Sequence, residues 1–349
     1  MNINVFDFFS GCGGTSKGFQ LAGLNPVFAL DFDEDAAKTF QENFKNTQFK
    51  STDIRKFDPA EIAALVGQSD IRLFCGCAPC QPFTRQNTTK PEKKSDTRRS
   101  LLSYFGSMVE EHRPEYVFVE NVPGIQRVSG NSTLTRFKKR LEALGYWSSV
   151  GIVESQNYGV PQRRRRLVLL ASRLGNIELP AATHGPEQNK PFSTVREWIS
   201  HFPPLEAGQT HPEIPNHRAA SLSPLNLKRV KATPPEGSRA DWPDDLRLDC
   251  HTKKGYSGHT DVYGRMRWDG PATGLTTRCI SLSNGRYGHP EQDRAISVRE
   301  AAALQTFPED FRFLGSLGSQ ARQIGNAVPV LLAQAFGSHV LAHAQQKIG

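Results

Sequence analysis

The feature that most constrains this chain is an alternation over its first half, where short β-branched or aromatic runs are separated by segments of helical length. Residues 5–9, 27–30, 71–76, 116–120 and 167–171 read as strands, and residues 35–44 and 100–112 carry an apolar stripe at helical spacing. Strands spaced this far apart need crossover connections rather than hairpins, so the pattern predicts a mostly parallel sheet with helices on both faces. From about Pro180 the texture changes. Pro, Gly, His and Trp become frequent, and Thr233-Pro234-Pro235-Glu236-Gly237-Ser238 reads as loop. Regular structure is expected again at residues 298–305 and in a helix over 328–343, with Asn326 near its start and Pro329 in its first turn. The organisation expected is an α/β domain over residues 1–179, completed by 319–349, and a smaller irregular lobe over 180–318.

Charge narrows the partners. Lys and Arg number 43 against 35 Asp and Glu, a formal net charge of +8, which favours a polyanion through the long-range field. The excess is local. Between residues 85 and 99 stand Arg85, Lys90, Lys93, Lys94, Arg98 and Arg99 against only Glu92 and Asp96, and Arg163, Arg164, Arg165 and Arg166 form an unbroken run. Six cysteines in 349 residues do not resemble a secreted disulfide scaffold and fit a reducing cytosol. The opening MNINVFDFF lacks a basic leader and cleavage site, and no run of 18 apolar residues is present, so a soluble intracellular protein is expected.

Ser10-Gly11-Cys12-Gly13-Gly14 follows the first strand, where a chain must turn tightly and let a ligand approach its backbone. No Gly-Lys-Ser/Thr follows, so it is not a P-loop, and Ser16 replaces the last glycine of the dinucleotide fingerprint. Asp31 stands twenty residues after Gly11, where an acid can take ribose hydroxyls, and Phe32 beside it can lie against an adenine. Together they indicate an adenosine-containing cofactor without separating NAD from S-adenosylmethionine.

Gly76-Cys77-Ala78-Pro79-Cys80-Gln81-Pro82-Phe83 presents Cys80 on a proline-stiffened loop at a strand's carboxyl end, where open α/β sheets bind ligands. Cys77 and Cys80 also form a C-x-x-C pair, but no second such pair or His pair follows, so no metal is expected. Tyr116-Val117-Phe118-Val119-Glu120-Asn121 ends an apolar strand in an acid, near the Cys80 loop if the two strands are neighbours. In Gln162-Arg163-Arg164-Arg165-Arg166, strand alternation would put Arg164 and Arg166 on one face.

In this order the pieces resemble a bacterial or phage restriction-modification type of DNA (cytosine-5) methyltransferase. Asp7-Phe8-Phe9-Ser10-Gly11-Cys12-Gly13-Gly14 resembles that family's cofactor loop, Asp31-Phe32 its ribose and adenine contacts, and Asp53-Ile54 and Leu101 further cofactor contacts. Pro79-Cys80-Gln81 resembles the nucleophile loop, Glu120-Asn121-Val122 the acid motif, and Gln162-x-Arg164-x-Arg166 the basic motif. Arg299-Glu300 through Pro308 resembles the motif that organises the recognition lobe, and Gly325-Asn326 the late motif that returns to the cofactor. Ala303 and Arg99 depart from the arginine and glycine common in the family.

The resemblance implies a Rossmann-like S-adenosylmethionine-dependent fold with a target-recognition lobe. Phe9, Gly11, Gly13, Asp31, Phe32, Asp53, Ile54, Leu101 and Asn326 would bind S-adenosylmethionine, and Cys80, Glu120, Arg164 and Arg166 would act on the cytosine. Double-stranded DNA would be met by Arg85, Arg98, Arg265, Arg267, Thr276, Thr277 and Arg278. A monomer is implied, alongside a cognate restriction endonuclease that forms no stable complex with it. The same chemistry on tRNA is one rival, since Cys80-Gln81-Pro82-Phe83-Thr84-Arg85 resembles that branch too, though the long segment between Arg166 and Arg299 argues for DNA; a non-catalytic DNA-binding relative is the other, and it would be expected to have lost Cys80 or Glu120, both of which are present.

Overall fold

The computed structural model describes residues 1–67, 71–78, 101–123, 132–248 and 261–348. The chain divides into two units: Met1–Tyr158 with Arg165–Ala182 and Val328–Gly349, and Gly159–Arg164 with Thr183–Ala327. The boundaries therefore differ from those expected, because residues 159–164 and 319–327 pack with the second unit.

The first unit is built from β1 (Ile3–Phe8), α1 (Gly14–Leu21), β2 (Asn25–Asp31), α2 (Glu34–Asn43), β3 (Gln48–Ser51), α3 (Ala63–Gly67), β4 (Ile71–Gly76), α4 (Leu101–His112), β5 (Tyr116–Asn121), α5 (Thr133–Ala143) and β6 (Trp147–Glu154). After β7 (Gln162–Arg163), which belongs to the second unit, it resumes with β8 (Arg165–Ser172). Its seven-stranded sheet runs β3-β2-β1-β4-β5-β8-β6. The first five strands are parallel, and β8 is antiparallel to both β5 and β6. Chain order departs from β1 in both directions, so a topological switch point lies between β1 and β4. In such sheets that crevice, beyond the carboxyl ends of the strands, receives ligands.

Aromatic residues explain why the sheet is covered on both sides. Phe8 packs on Phe105 of α4, which packs in turn on Phe137 of α5, with ring centroids 5.6 and 5.8 Å apart. On the other face Phe118 lies between Phe19 of α1 and Phe336, at 5.4 and 5.5 Å. Each such side chain contributes roughly 1.5–3 kcal/mol by leaving water.

Phe336 belongs to the C-terminal helix Val330–Ile348, which begins two residues later than expected and runs five further. Within Leu317–Ile348 a stretch is apolar enough to cross a membrane, yet 56% of it is buried inside the protein, which suits a helix packed on α1. A Cβ on Gly18 of α1 would sit 2.4 Å from both Ala333 Cβ and the Val330 carbonyl oxygen, so the two helices touch through a glycine. Gly18→Ala should therefore cost about 1–3 kcal/mol by overpacking, seen as a lowered thermal midpoint; an unchanged midpoint would mean the helices separate freely.

The second unit has little regular structure. Besides β7 it contains α6 (Val195–Ile199), α7 (Pro224–Lys231), β9 (Ala272–Thr273), α8 (Val298–Leu304) and α9 (Leu317–Asn326), while the C-terminal helix of the first unit is α10. One apolar cluster gathers Val230, Trp242, Leu246, Val262, Tyr263, Leu282 and Ala295. Irregular backbone leaves carbonyls that no ladder satisfies, and a buried carbonyl must still find a donor. Arginines supply them: Arg299 donates to the carbonyls of Pro215, Pro308 and Phe311, and buried Arg294 forms a two-pronged pair with buried Glu300.

Candidate active site

β1 ends where the glycine loop begins. Phe9 and Gly11 take left-handed backbone, with φ of 66° and 53°, a conformation that costs a non-glycine residue about 1–2 kcal/mol and is concentrated at binding sites. A Cβ on Gly11 would meet nothing within 4 Å, whereas one on Gly13 would strike Phe44 at 2.5 Å. The loop is thus closed underneath at Gly13 and open beside Gly11. Asp31, at the end of neighbouring β2, ties it down: Gly11 N–H donates to Asp31 Oδ2 at 2.8 Å and Asp33 N–H to Oδ1 at 2.9 Å. Burial raises the Asp31 carboxyl above its ordinary range. Phe32, next in sequence, is 64% exposed, an apolar ring left facing outward beside the loop.

The other expected cofactor residues divide. Ile54 and Leu101, the first residue of α4, are buried in the core. Asp53 caps a short 3₁₀ turn and binds the Arg55 guanidinium, which holds its carboxyl below the usual range. Asn326 is exposed and is the last residue of α9 in the second unit, rather than the start of the C-terminal helix.

Beneath the loop lies a carboxyl that sequence reasoning passed over. Asp7 on β1 is fully buried, and Ser16 of α1 donates its hydroxyl to Asp7 Oδ2 at 2.6 Å. Burial pushes Asp7 up to about 7. An acid inside a strand beside a familiar glycine motif is easily read as part of that motif; only the absence of a nearby basic residue could have singled it out.

β5 brings an acid to the same edge. Strands β4 and β5 are parallel neighbours, as the strand-end reading required, and Asn121 Nδ2 donates to the Ala78 carbonyl at 3.1 Å. That bond holds the root of the segment that continues to Cys80. Cys80, Arg85 and Arg98 themselves lie outside the described residues. Glu120 is buried, and its Oε1 stands 2.6 Å from Arg166 Nε on antiparallel β8. The pair is an ionic contact off the N–H axis, so Oε1 accepts no hydrogen bond among the described residues. Burial pushes the Cys75 and Cys77 thiols well above their ordinary range, and Cys77 Sγ sits 3.8 Å from the Thr15 hydroxyl. Neither is a ready thiolate.

Arg164 corrects the expectation that it shares a face with Arg166. The strand breaks between β7 and β8 at residue 164, so alternation does not run through it. Arg164 is buried and donates to the carbonyls of Leu275, Gly325 and Ala327 in its own unit. It braces backbone and is not presented to a base.

Arg265 is a second correction. Its guanidinium is buried and donates to the carbonyls of Thr233, His289, Gln292 and Val230 and to Asp293; a group so committed has no donor for DNA. Arg286 likewise donates to the carbonyls of Glu236, Gly237 and Arg265. Thr276 accepts from the Arg278 N–H and the Tyr287 hydroxyl. Thr277, Arg278 and Arg267 are exposed, Arg267 within 3.5 Å of Glu236. Arg265→Ala should therefore lower the stability of the protein by about 2–4 kcal/mol, since it strands several buried acceptors. Arg278→Ala should stay within about 0.5 kcal/mol. Denaturant melts of the two variants decide this, and equal midpoints would contradict it.

A seven-stranded mostly parallel sheet, a glycine loop held by an acid at its switch point and a second acid paired with arginine on a central strand describe an α/β domain of the kind that takes a ligand at its switch point. The chain belongs to the C-5 cytosine-specific DNA methylases, whose family model matches residues 3–342, and its activity is that of a DNA (cytosine-5) methyltransferase. It is 38% identical over 340 residues to the Type II methylase M.HgiDII of Herpetosiphon aurantiacus, covering 96% of this chain and 94% of that protein. It is 32% identical to the Type II methyltransferase M1.HphI of Haemophilus parahaemolyticus, covering 98% and 87%. Among solved structures, the Dnmt2 methyltransferase of S. pombe superimposes with a TM-score of 0.66 at 19% identity, covering 98% of this chain and 99% of that one.

Proposed function

We propose that this chain transfers a methyl group from S-adenosylmethionine to carbon 5 of cytosine within a specific sequence of double-stranded DNA. The observation that carries the reading is Glu120, a buried carboxyl at the carboxyl end of β5, ion-paired to Arg166 and with Oε1 left without a hydrogen bond among the described residues. It stands on the strand next to the one that runs into Pro79-Cys80-Gln81.

The residues at the switch point fit the cofactor: space beside Gly11, an acid already fixed by two N–H groups, and an outward aromatic ring. Bound there, S-adenosylmethionine supplies an electrophilic methyl group. Phe9, Gly11 and Gly13 shape its loop, Asp31 takes ribose hydroxyls and Phe32 the adenine, with Asp53, Ile54, Leu101 and Asn326 as further contacts that the family resemblance gives.

Carbon 5 of cytosine is a weak nucleophile until something adds at carbon 6. The Cys80 thiolate forms that bond while Glu120 passes a proton to N3, which takes up the electron pair displaced from the ring. Arg166 holds Glu120 through Nε, and its Nη2, without a hydrogen bond among the described residues, is open to the ring's O2. After carbon 5 has gained the methyl group, a base removes its proton, Cys80 leaves as thiolate and Glu120 recovers the proton from N3. The reacting face is hidden by stacking in a duplex, so the cytosine must first be rotated out of the helix.

Residues of the second unit read the target, with Arg267, Thr277 and Arg278 as exposed candidates and Arg85 and Arg98 as phosphate contacts. The protein acts as a monomer in the cytoplasm of a bacterial or phage-infected cell, with any cognate endonuclease acting separately. Labelled-methyl transfer to duplex DNA and to tRNA, run in parallel, tests the substrate: label in DNA alone is expected, and label in tRNA would overturn it.

A further inference from the structure

Three carboxyls stand at or near the carboxyl ends of β1, β2 and β5: Asp7, Asp31 and Glu120. Among the described residues Arg166 pairs with Glu120, while Asp31 is held by backbone N–H groups. Asp7 is the least compensated. It lies in register with Ala29 on β2 and Cys75 on β4. The Ser16 hydroxyl reaches Oδ2 and the Ser16 backbone N–H also favours the ionised form, while Oδ1 accepts no hydrogen bond among the described residues. Among the described residues the titratable groups that face it are Asp31, Cys75 and Cys77, none of them a cation. A buried carboxylate without a cation is costly, and a nearby positive charge relieves that cost.

We propose that Asp7 is a charge-selecting residue of the cofactor site, favouring the sulfonium of S-adenosylmethionine over the neutral thioether of its demethylated product. The proposal rests on the S-adenosylmethionine reading above. Asp7 acts from under the glycine loop, through its field and through Ser16 in the first turns of α1, so it is a positioning residue and not a catalytic one. Burial places its titration near 7. A cation favours the ionised form, so binding the sulfonium should expel a proton, and affinity for the cation should rise as pH climbs through that value. The thioether brings no such charge. Adenosine and amino-acid parts are common to both ligands and cancel in the ratio of affinities.

Calorimetric titration of the full chain with S-adenosylmethionine and with S-adenosylhomocysteine, at pH about 6 and about 8, tests this. The ratio should shift severalfold toward the sulfonium at the higher pH, with proton release visible in buffers of different ionisation heat. Asp7→Asn should flatten that dependence and weaken the sulfonium ligand selectively. Ser16→Ala keeps the carboxyl and loses a hydrogen bond that lowers its titration, so it should move the pH dependence to higher pH without abolishing it; it also serves if the Asn variant fails to fold. Equal weakening of both ligands by Asp7→Asn, a ratio independent of pH in the unaltered protein, or a pH dependence left unmoved by Ser16→Ala would overturn the proposal. Failure of the unaltered protein to bind either ligand is a different result, which removes the cofactor reading and this proposal with it.

Discussion

Cys80→Ser or Cys80→Ala is expected to abolish methyl transfer, by at least about 10³-fold, while leaving cofactor binding nearly unchanged. In the proposed mechanism the thiol adds to the base and has no part in holding adenosine, so the two properties should separate. Serine is the sharper variant, because a hydroxyl of ordinary acidity is almost wholly protonated at neutral pH and cannot replace a thiolate. The other cysteines of this segment offer no rescue: Cys75 and Cys77 are pushed well above their ordinary range by burial. Transfer assays with saturating DNA, paired with cofactor titration, check both halves. Normal methylation by the serine variant would contradict the assignment, and loss of cofactor binding would assign Cys80 to structure instead.

Glu120→Gln is expected to lower turnover by about 10²–10⁴-fold with little change in the thermal midpoint. Glutamine keeps the shape and can still accept from Arg166, so β5 and β8 should remain paired through their backbone. What it cannot do is hand over a proton to the ring as Cys80 adds. The loss should appear in kcat more than in KM, since proton transfer matters in the transition state. A fall in stability matching the fall in activity would mean the Glu120–Arg166 pair is a structural strut.

The central parallel strands were legible because they are buried on both faces and read as continuous apolar runs. Ile71–Gly76 matches in full, and Tyr116–Asn121 extends the expected strand by one residue. The edge strands were not legible: Gln48–Ser51 and Trp147–Glu154 are largely solvated and carry no apolar alternation. Nor could sequence show that β8 runs antiparallel, since strand direction depends on a partner. The placement of Asp31 and Glu120 at or next to a strand's carboxyl end was legible because each follows an apolar run and precedes a turn. The arginines divided the other way. A cation in a basic chain suggests solvent or DNA, but an irregular lobe needs donors for its own carbonyls, and Arg164, Arg265 and Arg286 are spent on that need. Asp7 was missed because its burial, with no cation facing it among the described residues, is a property of three dimensions.

The covalent bond to Cys80 is the claim on which the rest depends, and duplex DNA carrying 5-fluorocytosine at the target tests it most directly. Fluorine cannot leave carbon 5 as a proton does, so elimination of the thiolate stalls and the adduct persists. Incubation with S-adenosylmethionine followed by denaturation, proteolysis and mass spectrometry should find the nucleotide on the peptide containing Cys80, and only when the cofactor is present throughout. An adduct on Cys77, or no adduct from protein that methylates ordinary duplex DNA, would contradict the account.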